Sequence, residues 1–516
     1  MSVIVETRAT QSTTPPGPPP SPMRGEMHES LSAYVMALGD RVYKMKKPVR
    51  TPFLDLSTRS ARWAACTREV TLNTRFAPDV YEGVAELSDL DGGMGEPLVA
   101  MRRMPSHTRL STLAESGADL HHHIDRIAEL MAAVHADGPF GDTIDSAGTR
   151  DALARRWRDR LRSIASAAGN VLSEDDLLFI DARVRTYLAG RGALFDHRLS
   201  NDRIVDGHGD LIADDIFCLP DGPRILDCLD ADDSLRHLDG IDDIACLAMD
   251  LRFHDRPDLA AHLVSAYRSA AQDDAPESLV HHYIAYRSLT RAAAACTAAG
   301  RGAQDAVADV RAHTALALDH LRRGAVGLAL VSGVPGTGKS TVARGLAARI
   351  GGVVISSDIV RREIAGTDPT VSMTAGLYTG LHTPSCTGHT YAEMLRRARR
   401  LLAHGVSVVL DATFTDPVHL SRASMIAECT HSRLLHLECR APDSVALARI
   451  EQRRGGPSDA TTEMYAAVAA ERARSRVSVD PTAPPLPGAS VLDTTGRVPD
   501  VLDRAAALWD GAIAAP

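Results

Sequence analysis

The chain has 516 residues, enough for two or three domains, and 44% of them are hydrophobic, enough for real cores. A net charge of −9 excludes a strongly basic nucleic-acid platform, and no apolar run approaches the ~18 residues of a membrane span. The charge is uneven, about +2 from residue 325 onward and about −11 before it.

Met1-Ser-Val-Ile-Val-Glu-Thr7 lacks the basic and apolar regions of a signal peptide, and the eight cysteines are scattered without a C-x-x-C pair. Both point to a cytoplasmic protein with reduced, mostly buried thiols. Residues 1–25 hold Thr13-Thr-Pro-Pro-Gly-Pro-Pro-Pro-Ser-Pro22, a polyproline-type stretch that cannot bury a core and is expected to be disordered. Lysine occurs only at 44, 46, 47 and 339, against 53 arginines. A lysine kept in such a chain marks a place where a planar guanidinium will not serve, so both locations are candidate phosphate sites.

From 30 to 105 the chain reads as strands, one helix, then strands. Asp40 to Pro48 alternates as a short strand carrying Lys44 and Lys46, and Ser60 to Phe76 is helical, with Trp63, Cys66 and Val70 at core spacing and Glu69 among them. Pro97 to Pro105 is a strand running into a loop. A strand lysine, a helix glutamate and a strand leading to a hinge follow one another as in the N-lobe of a protein kinase, where the lysine meets nucleotide phosphates.

Residues 110–200 are helical; Leu120 to Ala136 is amphipathic, and Ser173-Glu-Asp-Asp176 opens a further helix as a capping box. His121-His122-His123 falls on that first helix, where neighbours diverge in direction, and reads as a solvated face rather than a metal cluster. Two short apolar strands then flank a loop with His208 and Asp210, and the return strand delivers Asp227. A loop carboxylate such as Asp210 can accept a hydroxyl proton, while Asp215 and Asp227 can share Mg²⁺. Helices over 257–324 complete this half, and Gly324 marks the expected boundary.

From 325 the chain alternates strand and helix, which predicts an α/β doubly wound parallel sheet with strands at Gly327–Ser332, 353–357, 406–410, 433–437 and 489–492. Between the first strand and its helix stands Gly333-Val334-Pro335-Gly336-Thr337-Gly338-Lys339-Ser340, followed by Thr341. This is the G-x-x-x-x-G-K-[ST] phosphate loop: its amides wrap phosphate, Lys339 reaches the β/γ-phosphates, and the Ser340 hydroxyl ligates Mg²⁺. Asp358 and Asp411 end the second and third strands, placed for one to receive a hydroxyl proton and the other to hold Mg²⁺. The helix Tyr391 to His404 carries four arginines on a solvated face and stops at Gly405. A helix from Asp443 ends with Arg449, Arg453 and Arg454 before Gly455-Gly-Pro-Ser-Asp459-Ala, a candidate lid whose arginines can neutralise a moving phosphoryl group.

Two resemblances attach to these motifs. The segment 26–324 resembles the aminoglycoside phosphotransferase family, whose fold is protein-kinase-like, bilobal and α+β. On the match of His208-Gly-Asp-Leu211 to its catalytic loop, Asp210 would be the base and Asp227 a metal ligand. Lys44 or Lys46 would be the phosphate-pairing lysine, with Glu69 its partner. That family's loop asparagine is Asp215 here, and no glycine-rich loop precedes Lys44. The segment 325–516 resembles P-loop kinases of the polynucleotide-kinase and zeta-toxin type, through the loop, Ser356-Ser-Asp-Ile-Val-Arg361, Leu410-Asp-Ala-Thr413 and the arginine lid.

By that likeness Asp358 would activate the acceptor hydroxyl, Arg361 would bind substrate, and Arg449 and Arg453 would clamp phosphates. The order of the halves resembles bacterial fusions described as aminoglycoside phosphotransferase/ATP-binding proteins. The resemblances imply an ATP- and Mg²⁺-dependent kinase acting on a small-molecule hydroxyl, with no membrane partner. A nucleic-acid 5′-hydroxyl is the alternative acceptor, and a regulatory ATPase without an external acceptor the alternative class. The first half would be a second phosphotransferase or a regulator.

Overall fold

A computed structural model of the chain describes residues 25–30, 32–50, 55–88, 95–167, 172–299, 306–366, 383–452, 461–474 and 488–514. The polyproline stretch, Arg453 and the lid expected at 455–460 lie outside the described residues. By packing the chain divides into two compact units, one of 1–149 with 198–274 and the other of 150–197 with 275–516. This division differs from a single break at Gly324: the helical segments 150–197 and 275–323 pack with the parallel sheet that follows them.

In the first unit, β1 (Glu26–Glu29), β2 (Ala33–Leu38), β3 (Arg41–Lys46), β4 (Tyr81–Leu87) and β5 (Glu96–Arg102) form an antiparallel sheet ordered β1-β2-β3-β5-β4. The helix Arg59–Asn73 is capped by the Thr58 hydroxyl, which accepts from Ala61 N. It buries Cys66 against Val99, Met101, Val80 and Tyr81. Trp63, expected in that core, is instead 39% exposed with the Arg59 guanidinium 5.4 Å over its ring. At the helix's spacing one side holds Cys66 and Glu69, and Trp63 lies beyond its edge.

The same unit continues with the helix His121–Asp137 and the short strands β6 (Ile204–Asp206), β7 (Ile216–Leu219), β8 (Gly222–Ile225) and β9 (His237–Asp239). Strands β6 and β9 pair, β7 and β8 form a hairpin, and the helix Gly240–Phe253 follows. Arg198, fully buried, forks onto Asp239 at 2.5 and 2.9 Å and also onto Asp273.

The second unit holds five parallel strands, β10 (Gly327–Ser332), β11 (Val353–Ser356), β12 (Val408–Asp411), β13 (Arg433–Arg440) and β14 (Ala489–Asp493), in the order β11-β12-β10-β13-β14. These are the five strands predicted, and their near-continuous apolar runs fit a sheet covered on both faces. The helices Lys339–Ile350 and Val498–Ala514 cover it through Val342, Leu346, Ala505 and Trp509. The helix Pro384–Ala403 ends with Gly405 at φ +82°. Arg191, at the end of the helix Glu174–Gly190, explains why the helical segments join this unit: its guanidinium caps the Leu402 and Thr430 carbonyls.

Candidate active sites

The phosphate loop is built by close approach. Gly333, Gly336 and Gly338 sit at φ of +142°, +80° and +83°. A Cβ on Gly333 would stand 2.5 Å from the Cys439 carbonyl oxygen, and one on Gly336 would stand 2.4 Å from that of Ala446. Glycine alone lets the chain slip between β13 and the helix Asp443–Gln452 while turning into Lys339–Ile350. Val334, Pro335 and Thr337 are buried beneath the turn, and Thr341 is exposed in the helix's first turn. Such a turn at a helix N-terminus offers main-chain N–H groups to an anion.

Four predicted side chains meet at this loop. The Lys339 ammonium donates to the Val334 carbonyl at 3.0 Å. The Ser340 hydroxyl donates to Asp411, the last residue of β12. Burial pushes the Asp411 carboxyl above its ordinary value, the Lys339 charge and the Ser340 bond hold it back, and the nearby Asp358 charge pushes it further up. Asp358 pairs with the buried Arg361 at 3.0 Å, one turn along the helix Ser357–Ile364.

Arg449 stands beside the loop, its Nη1 3.8 Å from where a Gly338 Cβ would be. It donates to the Thr494 carbonyl at 2.7 Å. The Thr494 hydroxyl in turn lies 2.8 Å from the Thr337 carbonyl oxygen, so the exit of β14 is tied to the phosphate loop. The sequence marks Leu492-Asp-Thr-Thr-Gly496 as the close of the last strand, where an adenine-side loop is expected, but only the fold brings Thr494 to Thr337.

In the first unit, Lys44 and Lys46 lie two residues apart on β3 and so share a face, opposite the buried Glu69. Lys44 Nζ is 2.9 Å from Glu69 and 2.7 Å from Asp227; Lys46 Nζ is 2.6 Å from Glu69 and 2.8 Å from Asp230. One buried glutamate thus serves both lysines, and these acids raise the Lys44 and Lys46 pKa values against the lowering effect of burial. Asp227 holds a left-handed φ of +63°, a strained conformation for a non-glycine residue. Its neighbours fix it: its N–H donates to the Tyr81 hydroxyl at 3.2 Å, and the Cys228 N–H donates to Asn73 Oδ1 at 2.8 Å.

The loop bearing Asp210 is anchored from below. Asp243, fully buried in the helix Gly240–Phe253, accepts from the His208 and Gly209 N–H groups at 2.6 and 3.0 Å. His208 Nε2 reaches the Leu226 carbonyl at 3.0 Å, so that nitrogen carries the proton, and burial lowers the ring's pKa. Neither Asp243 nor Asn73 was singled out by motif, because each acts on backbone groups far away in sequence. Residues 30–32, which join β1 to β2, include no glycine, and Lys47 Nζ bonds Glu29 and the Ser30 carbonyl there, both at 2.6 Å.

Asp215 is pushed up to about 7, first by burial and then by the charges of Asp227, Asp210 and Asp214. Carboxylates that repel one another in this way suit a divalent cation, although no three metal-ligating groups converge among the described residues. The raised value has a sign. The unfolded chain releases this proton near 3.8, the folded one near 7. Between those values the folded state binds more protons, so stability falls as pH rises, by up to about 1.4 kcal/mol per pH unit. Urea denaturation should show the advantage of Asp215→Asn over the parent chain growing from pH 5 to pH 7.

A family model described as an AAA domain matches residues 328–475. The "Uncharacterized protein Rv2004c" of Mycobacterium tuberculosis is 43% identical over 448 residues, 87% of this chain and 90% of that protein. Among solved structures, a choline/ethanolamine kinase family protein from Mesorhizobium loti is 16% identical, over 58% of this chain and 93% of its own, with a TM-score of 0.38. A sugar kinase from Janibacter sp. is 18% identical, over 37% of this chain and 99% of its own, with a TM-score of 0.27. The AAA-domain match spans the phosphate loop and the strands β11, β12 and β13.

Proposed function

We propose that this chain, which belongs to the same family as the Mycobacterium tuberculosis protein Rv2004c, transfers the γ-phosphoryl group of ATP to a hydroxyl of a small molecule at its phosphate loop. One observation carries the reading: Asp411, which meets Ser340 and the Lys339 charge, ends β12 level with Ser356 of β11, two residues before Asp358 in the first turn of the next helix. Holding a triphosphate needs only the loop and the lysine. A second carboxylate beside them has a use when a hydroxyl must be deprotonated.

In this reading the loop's N–H groups and Lys339 grip the β- and γ-phosphates. Ser340 and Asp411 would hold Mg²⁺, which supplies neutralisation of the phosphate oxygens' charge when bound. Asp358, oriented by Arg361, accepts the proton of the attacking hydroxyl. Arg449 lies beside the loop to meet charge developing on the transferred group, a role the resemblance also gives Arg453. The near-neutral charge of this half favours a small acceptor over a nucleic-acid end. No helix among the described residues is long and apolar enough to cross a membrane.

The first unit has the parts of a second phosphotransferase: Asp210 as base, Lys44 or Lys46 for phosphate with Glu69 behind them, and Asp215 with Asp227 for metal. The 2.7 Å ion pair that engages Asp227 with Lys44, and the absence of glycine between β1 and β2, favour a nucleotide-sensing role for it instead.

The deciding experiment supplies labelled ATP and a panel of sugars, aminoglycosides, nucleosides and oligonucleotides to the full chain. Asp358→Asn should lower transfer to the accepted substrate by roughly 10²–10⁴-fold while leaving ATP affinity intact. Hydrolysis alone across the panel, or transfer that ignores the substitution, would remove the kinase reading of this half.

A further inference from the structure

Parallel strands put their N-terminal ends at the edge of the sheet opposite the phosphate loop, roughly 20 Å away for a six-residue strand. At that edge, where Arg433 opens β13, lies a cavity of about 30 Å³. Its wall includes three arginines, Arg183, Arg191 and Arg433, and three histidines, His282, His320 and His431, with no aspartate or glutamate among the described lining residues.

Part of this positive charge has an evident structural use. Arg191 caps the Leu402 and Thr430 carbonyls, and Arg183 donates to the Ile513 carbonyl. These are the C-terminal ends of the helices Pro384–Ala403, Pro417–Cys429 and Val498–Ala514. Each such end carries about half a negative charge, less than the charge of one guanidinium. The buried Nε of Arg433 has no hydrogen-bond partner among the described residues, and no carboxylate lines the cavity there. The crowding is felt: burial, then the charges of Arg433 and Arg322, push Arg183 down to about 10, and burial does the same to Arg191.

His282 adds a directed donor. It is 2% exposed, its ring stacks on Tyr187 at 4.4 Å, and Trp157 Nε1–H donates to its Nε2 at 2.9 Å. An Nε2 that accepts carries no proton, and burial keeps the ring neutral, so the proton sits on Nδ1. That buried Nδ1 has no hydrogen-bond partner among the described residues. An unused buried donor beside uncompensated guanidinium groups is costly unless something negative completes it.

We propose that this cavity binds an oxyanion of the phosphate class, with Arg433 and Arg191 supplying charge and His282 Nδ1–H a hydrogen bond. A water-sized group needs about 10–15 Å³ by this measure, so the space takes a phosphoryl-sized head group and not a nucleotide. Guanidinium forks match such oxygens two at a time. The anion is free phosphate or the phosphoryl end of a phosphomonoester, and the site is independent of the reading of the phosphate loop.

Calorimetric titration with inorganic phosphate tests this on the full-length Lys339→Met variant, in which the phosphate loop is weakened. One saturable site is expected, with affinity reduced about tenfold or more by adding Arg433→Met and less by Arg433→Lys. Glycerol phosphate in place of phosphate separates the sources: tighter binding assigns the ester, equal or weaker binding the free anion. Loss of all saturable phosphate binding in Lys339→Met alone overturns the site, as does an affinity indifferent to Arg433→Met. If Arg433→Met folds poorly, the nitrogen resonance of His282 Nδ1 in the Lys339→Met chain decides: it should shift on adding phosphate, and a fixed resonance overturns the proposal.

Discussion

Lys339→Met should cut ATP turnover at the phosphate loop by roughly 10²–10³-fold, the cost of removing one preorganised donor from developing phosphoryl charge. Methionine keeps the unbranched stem and removes only the ammonium, so the glycine turn around Gly333 and Gly336 should survive. The ammonium rests 3.0 Å from the Val334 carbonyl, within the loop it would serve. The comparison that gives the result meaning is Asp210→Asn in the same full-length chain. If the loop carries the main activity, Lys339→Met removes most turnover and Asp210→Asn little. The reverse pattern would move the main activity to the first unit. Turnover unchanged by Lys339→Met would place the working nucleotide elsewhere.

Asp243→Asn should be the most damaging single-atom change in the first unit. Both carboxylate oxygens accept main-chain N–H groups, from His208 and from Gly209, and His135 Nε2 lies 3.2 Å from the same side chain. Whichever way an asparagine amide is turned, its NH₂ faces a donor, and one buried N–H loses its acceptor. Hydrogen bonds to charged groups contribute about 1.5–3 kcal/mol, and a stranded buried donor costs about 1–3 kcal/mol more. A loss of about 2.5–6 kcal/mol follows, read as a lower urea midpoint for the first unit. Any activity that depends on Asp210 should fall with it, since the backbone carrying Asp210 is released. A midpoint within error of the parent chain would show that the loop is held by other contacts.

The phosphate loop was legible because its chemistry is local. Glycine spacing, one lysine and one serine specify a turn whose conformation depends little on distant residues. The alternation of strand and helix predicted the parallel sheet, since apolar runs of this length are stable only when covered on both faces. The pairing of Lys44 and Lys46 with one glutamate was half visible. Period two on a strand puts both lysines on one face, but which of them meets Glu69 depends on how the helix Arg59–Asn73 lies on the sheet. The structure answers that both do. Trp63 shows the opposite failure, since its size and spacing suggested burial and the helix's actual orientation leaves it 39% exposed under Arg59.

What the residues by themselves determined was the inventory of the phosphate loop, the aspartates at the strand exits and the short stretches around Lys44, Glu69 and Asp210. Each is a pattern within a few residues, where sterics and hydrogen bonding act along the chain. Tertiary packing alone decided that 150–197 and 275–323 join the parallel sheet, that Thr494 reaches Thr337, that Asp243 carries the Asp210 loop, and that Arg191 and Arg433 face one cavity. Those contacts join positions more than thirty, and in places more than two hundred, residues apart. Burial selects them, and burial is a property of the folded whole: a buried charge must find its partner wherever the chain brings one.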